Sequence, residues 1–254
     1  MARNSSQGVQ ATVNSFRILE QLVAAEGSMG VTEISDAVGL SKGVVYTHLQ
    51  TLIDLGYVRK REQRYLPSFG ILKLTEVVRR QIPEFTTVRY HVENLARVTG
   101  EVSALFVEED GLGVCVCSSM GSEPWVPDYT CGSRMPLHVN APGKAILSLF
   151  DRDHVDAIIE EHGLSRLTDE TLTIPETLES ELSTIRESGV SFCREEQFSD
   201  VVGVATTVDL GERAPAAAIG VCGPSDRLSG RRLEEDITGQ VISTAKSIRI
   251  DLTK

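Results

Sequence analysis

Apolar residues recur at helical spacing near the start of the chain. Val13, Phe16, Leu19, Leu22 and Val23 mark one face of a first helix, ended by Glu26-Gly27-Ser28. A second helix begins near Thr32, a candidate N-cap, and turns Ile34, Ala37 and Val38 inward. Gly39 supplies a tight turn. Ser41 caps a third helix with the inner face Val45, Leu49, Leu52 and Ile53, and Gly56 closes it. The period then drops to two. Tyr57-Val58-Arg59-Lys60-Arg61 and Arg64-Tyr65-Leu66 make a hairpin with Glu62-Gln63 at its tip. The tip lacks Asn-Gly or Asp-Gly, so the hairpin rests on position more than on turn chemistry. Ile71, Leu74, Val77 and Val78 predict a linking helix, stopped by Pro83.

Beyond Pro83 the pattern changes. One helix carries Val88, Val92 and Leu95, and strand-like runs follow at Glu101–Glu108 and Leu112–Ser118, joined across Asp110-Gly111. Pro124–Pro136 reads as irregular. Ala141–Phe150, Asp151–Glu161 and Pro175–Ser188 read as helices, and Val190–Arg194, Val201–Asp209 and Ala216–Cys222 as strands. A last helix buries Leu233, Ile237, Val241, Ala245 and Ile248. The fold class expected is α/β (α+β), with the second domain built on an antiparallel or mixed sheet. Residues 1–68, 69–82 and 83–254 are the expected first domain, linker helix and second domain, with residues 1–8 loose.

Composition fits this division. The 254 residues suit two domains, and 41% apolar residues suffice for real cores. The longest run without Asp, Glu, Lys or Arg is Asn4–Phe16, too short to span a bilayer. The N-terminus lacks the charged start and apolar run of a signal peptide, so a cytoplasmic location away from membranes is expected. Net charge is −11, unevenly spread. Residues 1–80 hold ten Lys and Arg against seven Asp and Glu, and the remainder fifteen against twenty-nine. The first domain is thus locally basic, and local potential governs phosphate contact. Arg outnumbers Lys 19 to 6, and acids abound, as in a salt-adapted, haloarchaeal-like proteome, with an acidic mesophile as the alternative. In such a cytoplasm the counterion contribution to DNA binding shrinks and base contacts carry more.

From Val31 to Lys60 the chain thus reads as two amphipathic helices joined by a Gly turn and followed by a basic hairpin, a winged helix-turn-helix. Such a unit places its last helix in the DNA major groove. The outer stripe of that helix is Gly43, Tyr46, Thr47 and Gln50, with Ser41 and Lys42 at its leading end. Gln50 suits an adenine edge, Thr47 a thymine methyl, and Lys42 a guanine or a phosphate. Arg59, Lys60, Arg61 and Arg64 are placed to grip backbone or minor groove. The plainer reading of these residues is a solvated helix face beside a basic hairpin, since some winged helices serve only protein contacts.

Five cysteines, an odd count, argue against a disulfide framework. Cys115-x-Cys117 puts two thiols on one face of a strand, and Cys131 and His138 offer further metal ligands. The spacing is not that of a zinc finger, and strand cysteines commonly act as small buried hydrophobes. Cys193 and Cys222 would form a thiol sensor if they meet in space with a low-pKa, exposed thiolate. A redox- or metal-responsive regulator is therefore the alternative reading, although the sequence calls for no cofactor or resident metal. An enzyme built on Cys193, His138 and Glu195 or Glu196 lacks any nucleophile-elbow motif, so no catalysis is expected, and Glu195-Glu196 is expected to carry structural or interface charge. His48, His91, His154 and His162 read as packing or surface residues. The run APGKAI lacks the first Gly and final Ser or Thr of a phosphate-binding loop, which leaves Lys144 solvent-facing or ion-paired.

Three stretches in order resemble the isocitrate-lyase-regulator (IclR) family of transcription factors: LSKGVVYTHLQTL through LGYV (Leu40–Val58), LHVNAPGKAILS (Leu137–Ser148) and SGVSFCREEQFSDVVGVAT (Ser188–Thr206). The resemblance implies a GAF-like second domain that binds a small organic effector. It implies a homodimer through the N-terminal region, often paired into a homotetramer, reading a pseudo-palindromic operator in double-stranded DNA. It implies control of a catabolic pathway. Thr47 departs from the family's common Arg, and Tyr65-Leu66-Pro67 from a usual Leu-Gly pair.

By resemblance the effector pocket is lined by Met135, Asn140, Ala141, Pro142 and Gly143, by Cys193, Val201 and Gly203, and by Gly220 and Cys222. Amides at the start of a helix make an anion site in the family, but Pro142 removes one donor, and Cys193 stands where Asp is frequent. A larger or less polar effector is expected, such as an aromatic acid or a lactone. For a sugar-derived acid, Asn140, Arg134, Thr206 and Glu195 are the candidate polar contacts.

Overall fold

The computed structural model describes residues 8–25, 27–122, 129–212 and 214–253. Residues 1–7, Glu26 and 123–128, which enter the expected loose start, the end of the first helix and the irregular stretch, lie outside the described residues. The chain divides into two compact units, Met1–Arg79 and Arg80–Lys254.

The first unit packs α1 (Gln10–Ala24), α2 (Val31–Val38) and α3 (Lys42–Asp54) around Ile18, Leu22, Ile34, Val38, Val45 and Leu49. Its turns follow from local chemistry. Gly39 adopts φ 69°, a left-handed conformation that lets α3 start at once. Ser41 Oγ accepts from Val44 N at 3.4 Å, the N-cap that the sequence predicts. Tyr57 N bonds Leu52 O and Gly56 N bonds Ile53 O, both at 2.9 Å, which closes α3. β2 (Val58–Arg61) and β3 (Arg64–Pro67) form the hairpin, and β1 (Met29–Gly30) adds a third antiparallel strand in the order β1-β3-β2. Tyr65 is the hairpin's buried anchor.

Two expectations for this unit need correction. α2 is capped at Gly30, whose N–H is accepted by Glu33 Oε2, and Thr32 and Ala37 are exposed. The inner face of α1 is Asn14, Ile18 and Leu22. Phe16 and Val23 are 61% and 59% exposed because their stripe is rotated away from α2 and α3. The linking helix α4 (Leu72–Arg79) also leaves Leu72, Leu74, Val77 and Val78 exposed. Phe16, Leu19, Leu55, Ile71 and Leu74 line a solvent-open apolar groove of about 1160 Å³.

The second unit is a six-stranded antiparallel sheet. Its strands are β4 (Val102–Glu109), β5 (Leu112–Ser119), β6 (Arg134–Pro136), β7 (Ser191–Arg194), β8 (Val201–Val208) and β9 (Ala217–Pro224), ordered β6-β5-β4-β9-β8-β7. α5 (Phe85–Thr99) and α9 (Thr238–Leu252) share one core with one sheet face. α6 (Ala141–Leu147), α7 (Arg152–His162) and α8 (Pro175–Ser188) share the other. Asp110 and Gly111, at φ 53° and 75°, make the tight β4–β5 turn that the sequence predicts. The five apolar positions assigned to the last helix are all buried, two of them on a π-helical segment (Arg232–Ile237) that leads into α9.

A bulge overturns one prediction from spacing. Leu105 pairs with Cys117 but Phe106 with Cys115, so the β5 register slips at Val116. A slip of one residue reverses facing. Cys115 therefore enters the core beside α6 and Cys117 the core beside α5, on opposite faces of the sheet.

All seven residues of α6 are buried. The helix lies against small residues in register across three strands, Ala205, Gly220 and Ala104. A Cβ on Gly220 would sit 3.1 Å from Pro142 Cγ, and one on Gly143 only 2.1 Å from Leu137 O. Lys144 is 1% exposed, and its Nζ reaches Glu196 at 2.7 Å and Glu181 at 3.2 Å. Of the two roles expected for Lys144, ion pairing is the one observed. Burial raises the Glu196 carboxyl pKa, and the Lys144 ammonium opposes this. Removing either partner of a buried pair costs about 3–5 kcal/mol.

Gly143→Ala forces methyl against backbone and should cost about 3 kcal/mol or more of stability, read by urea denaturation. Gly239→Ala in α9, with no atom within 4 Å of the added Cβ, is the control and should gain about 0.5–1 kcal/mol.

Candidate DNA-reading surface and ligand cavity

On the first unit, α3 leaves Ser41, Lys42, Gly43, Tyr46 and Thr47 exposed and Gln50 half-buried, a continuous outer stripe opposite Val45, Leu49 and Leu52. Thr47 Oγ1 donates back to Gly43 O at 3.1 Å. Its hydroxyl proton is thus used within the helix, and its methyl is what it presents outward. Arg59, Lys60 and Arg61 are exposed along β2. The Arg59 guanidinium lies 5.4 Å from the Phe69 ring centre and the Lys60 ammonium 5.6 Å from that of Tyr65, so both charges are held beside aromatic faces. Arg61 makes no ion pair among the described residues.

Arg64 differs from its expected role. Its guanidinium donates to Ser28 O and to Ser28 Oγ at 3.0 Å, and pairs with Glu33 Oε2 at 3.0 Å. The Gly30 N–H, and secondarily Arg64, hold the Glu33 carboxyl below its usual pKa. Arg64 therefore ties the hairpin to the start of α2, where its donors are occupied.

On the second unit, a narrow cavity of about 20 Å³ opens between the α6 N-terminus and the sheet. Its floor includes Cys193, Gly203 and Cys222, in register across β7, β8 and β9. Val201 and Gly220 extend the floor, and Asn140, Ala141 and Pro142 make the facing wall. These are eight of the ten residues expected there. Met135 and Gly143 stand one layer back. Met135 Sδ accepts from Asn140 Nδ2 at 2.8 Å and from Gln197 Nε2 at 3.4 Å, and Gly143 N donates to Asn140 Oδ1 at 2.8 Å.

Ala104, Phe106, Tyr129, Gln197, Val202 and Val221 also line the cavity. Alternation along β4 identifies Ala104 and Phe106 only once the register is known, whereas Val202 and Val221 belong to the core on the other sheet face. Tyr129 and Gln197 sit on loops and carry no periodic signal. Tyr129 Oη donates to Gln197 Oε1 at 2.6 Å.

Three polar contacts proposed for a sugar-derived acid lie outside this lining. Arg134 is exposed and pairs with Glu109 at 2.9 Å, Thr206 Oγ1 donates to Gly189 O at 2.7 Å, and Glu195 accepts from Asp200 N at 3.0 Å. Of the first-turn amides of α6 that the family pattern offers to an anion, Pro142 has no N–H and Gly143 donates to the Asn140 cap, which leaves that of Ala141.

The cysteines do not assemble as the alternative reading requires. Cys193 and Cys222 flank Gly203 two strands apart, about 9–10 Å between Cα atoms at the usual strand spacing. A disulfide needs less than about 7 Å. Burial pushes the Cys193 thiol up to about 11, with the Glu196 charge adding to it, and burial raises Cys222 further. Both remain thiols at neutral pH. Cys115 and Cys117 face opposite cores and Cys131 is exposed, and no group of three or more His, Cys, Asp or Glu is placed to hold a metal among the described residues. His138, buried with a lowered pKa through that burial, bonds Ser165 O at 3.1 Å. The other histidines have packing partners: His48 with Ser15, His91 with Asp251, His154 on Phe150, His162 with Asp110 O. No described helix is long and apolar enough to cross a membrane.

Comparison with known proteins gives these two surfaces a common context. The IclR helix-turn-helix domain family matches residues 11–62, and the bacterial transcriptional regulator IclR C-terminal family matches residues 77–250. The chain belongs to the IclR family of DNA-binding transcriptional regulators. It is 32% identical to the HTH-type transcriptional regulator KdgR of Escherichia coli, covering 89% of this chain and 87% of that protein. It is 24% identical to the acetate operon repressor of Salmonella typhimurium, covering 95% and 89%. Among solved structures, the Thermotoga maritima IclR superposes with a TM-score of 0.80 at 23% identity, covering 96% of this chain and 99% of that one. An IclR homolog of Microbacterium hydrocarbonoxydans complexed with 4-hydroxybenzoate gives 0.76 at 16% identity, with the same coverage. The family and these relatives are regulators rather than enzymes.

Replacing Thr47 and Gln50 together by Ala should relax sequence discrimination, at about 1–3 kcal/mol per lost base contact. Arg61→Ala should weaken binding to all sequences alike and lower the salt slope by about one. Anisotropy titrations on specific and scrambled duplexes separate the two. A helix variant that weakens all DNA equally would refute the groove assignment.

Proposed function

We propose that the chain is a ligand-responsive regulator that binds a pseudo-palindromic operator as a homodimer or homotetramer. The winged helix, residues 1–68, reads DNA. Ser41, Lys42, Gly43, Tyr46, Thr47 and Gln50 enter the major groove, while Arg59, Lys60 and Arg61 hold the backbone. Arg64 keeps the wing in place for them. Residues 69–82 link this module to a GAF-like effector domain, residues 83–254. A small organic effector occupies the cavity between α6 and the β7–β8–β9 floor. Its binding shifts the balance between DNA-competent and DNA-incompetent arrangements of the dimer. Control of a catabolic pathway in the cytoplasm fits this mode of action.

The observation that carries this reading is the pairing in one chain of an exposed recognition stripe with a narrow, mainly apolar cavity. The exposed Phe16, Val23 and Leu74 support dimerisation through the first unit, since an apolar surface of that kind calls for a cover. Phe16→Asp should therefore lower the molar mass measured by light scattering.

A mobility shift with the DNA upstream of the chain's own coding region tests the function, with acids, lactones and alcohols added in turn and then a mild oxidant. A specific shift released by one organic molecule is expected. Release by oxidant alone would transfer control to the cysteines and overturn the effector reading.

A further inference from the structure

Reading the cavity as an effector site, we propose that its ligand is uncharged and presents a carbonyl, ester or hydroxyl oxygen to Asn140 and Gln197, and that carboxylates are disfavoured. This rests on the effector reading above but goes beyond it to the ligand's charge and its contacts.

The polar equipment of the cavity consists of donors with a fixed direction. Gly143 N–H donates to Asn140 Oδ1, and Tyr129 O–H donates to Gln197 Oε1. The Gly143 N–H can only donate and so turns the Asn140 NH2 the other way, while the Met135 sulfur can only accept and so takes the Gln197 NH2, leaving Oε1 to the Tyr129 hydroxyl. Both NH2 groups converge on one atom, Met135 Sδ. A thioether sulfur is a weak acceptor. Two buried amide donors are thus held by the poorest partner available, and a ligand oxygen that displaces Met135 Sδ from behind the cavity wall would satisfy them better. The Tyr129 hydroxyl, its proton already used, can accept from a ligand hydroxyl.

Nothing in the lining offsets a negative charge. No Lys, Arg or His lines the cavity among the described residues. The nearest buried cation, Lys144, is neutralised by Glu196 and Glu181. Of the α6 amides that would serve a carboxylate, Pro142 has none and Gly143 donates to the Asn140 cap, which leaves the single Ala141 N–H. The cavity's own acids behave accordingly, since burial raises Cys193, Cys222 and Tyr129 alike, disfavouring their anions. A ligand carboxylate meets the same desolvation cost.

The test uses the full chain labelled at its methionine methyls. It has four methionines, and the Met135 signal is identified by its loss in Met135→Leu. Matched probes are added in pairs: benzamide with benzoate, 4-hydroxybenzyl alcohol with 4-hydroxybenzoate, and δ-valerolactone with 5-hydroxyvalerate. The neutral member of each pair is expected to move the Met135 methyl at a concentration about tenfold lower than its acid. An acid that moves it at an equal or lower concentration overturns the ligand class and leaves the effector site standing. If no probe moves it up to about 10 mM, the cavity is not the binding site, and the underlying reading fails with the proposal. Gln197→Leu, which keeps the cavity but removes one donor, should weaken the neutral probes about tenfold without changing the acids' order.

Discussion

The close approach of α6 to the sheet is the constraint on which the second unit depends. A helix buried on every side has no solvent face to absorb misfit, so its neighbours must make room. They do so by lacking side chains: Ala104, Ala205 and Gly220 beneath it, and Gly143 where it meets Leu137. The same absence leaves empty space beside its first turn, where Gly203 separates two cysteines. The cavity is therefore a by-product of the packing that holds the helix. The Lys144–Glu196 pair locks the helix at its middle, and Gln197, the residue after Glu196, reaches the cavity wall. Structural and ligand-facing roles alternate along a single short loop.

Much of the fold is legible in the sequence because its signals are local. Gly39, Ser41 and Gly56 punctuate the first helices by backbone conformation and capping, which act within a few residues. Asp110-Gly111 announces its turn in the same way. The periodic apolar face of the last helix survives even a change of helical pitch, since all five positions remain buried.

What escaped the sequence depends on long-range partners. The stripe on α1 contains two apolar faces, and only the packing of α2 and α3 decides that Ile18 rather than Phe16 lies inside. The cysteines of β5 alternate by count, yet one bulge sends them to opposite cores, and no residue at Val116 signals it. Arg64 reads as one more wing cation until Ser28 and Glu33, more than thirty residues upstream, are placed beside it. Eight of ten expected cavity residues line the space because they lie in motifs, whereas Tyr129 and Gln197 are brought there by loops.

The construction of the cavity floor has an evolutionary consequence. Gly203 and Gly220 already carry the smallest side chain available, so mutation at either glycine can only subtract volume. Enlargement has to come from the larger lining residues, at Cys193, Val201, Gln197 or Phe106, where a shorter residue is still on offer. Descendants of this chain that acquire bulkier inducers should therefore have diverged at those positions while leaving the two glycines untouched, and those with smaller inducers are the ones free to have lost them.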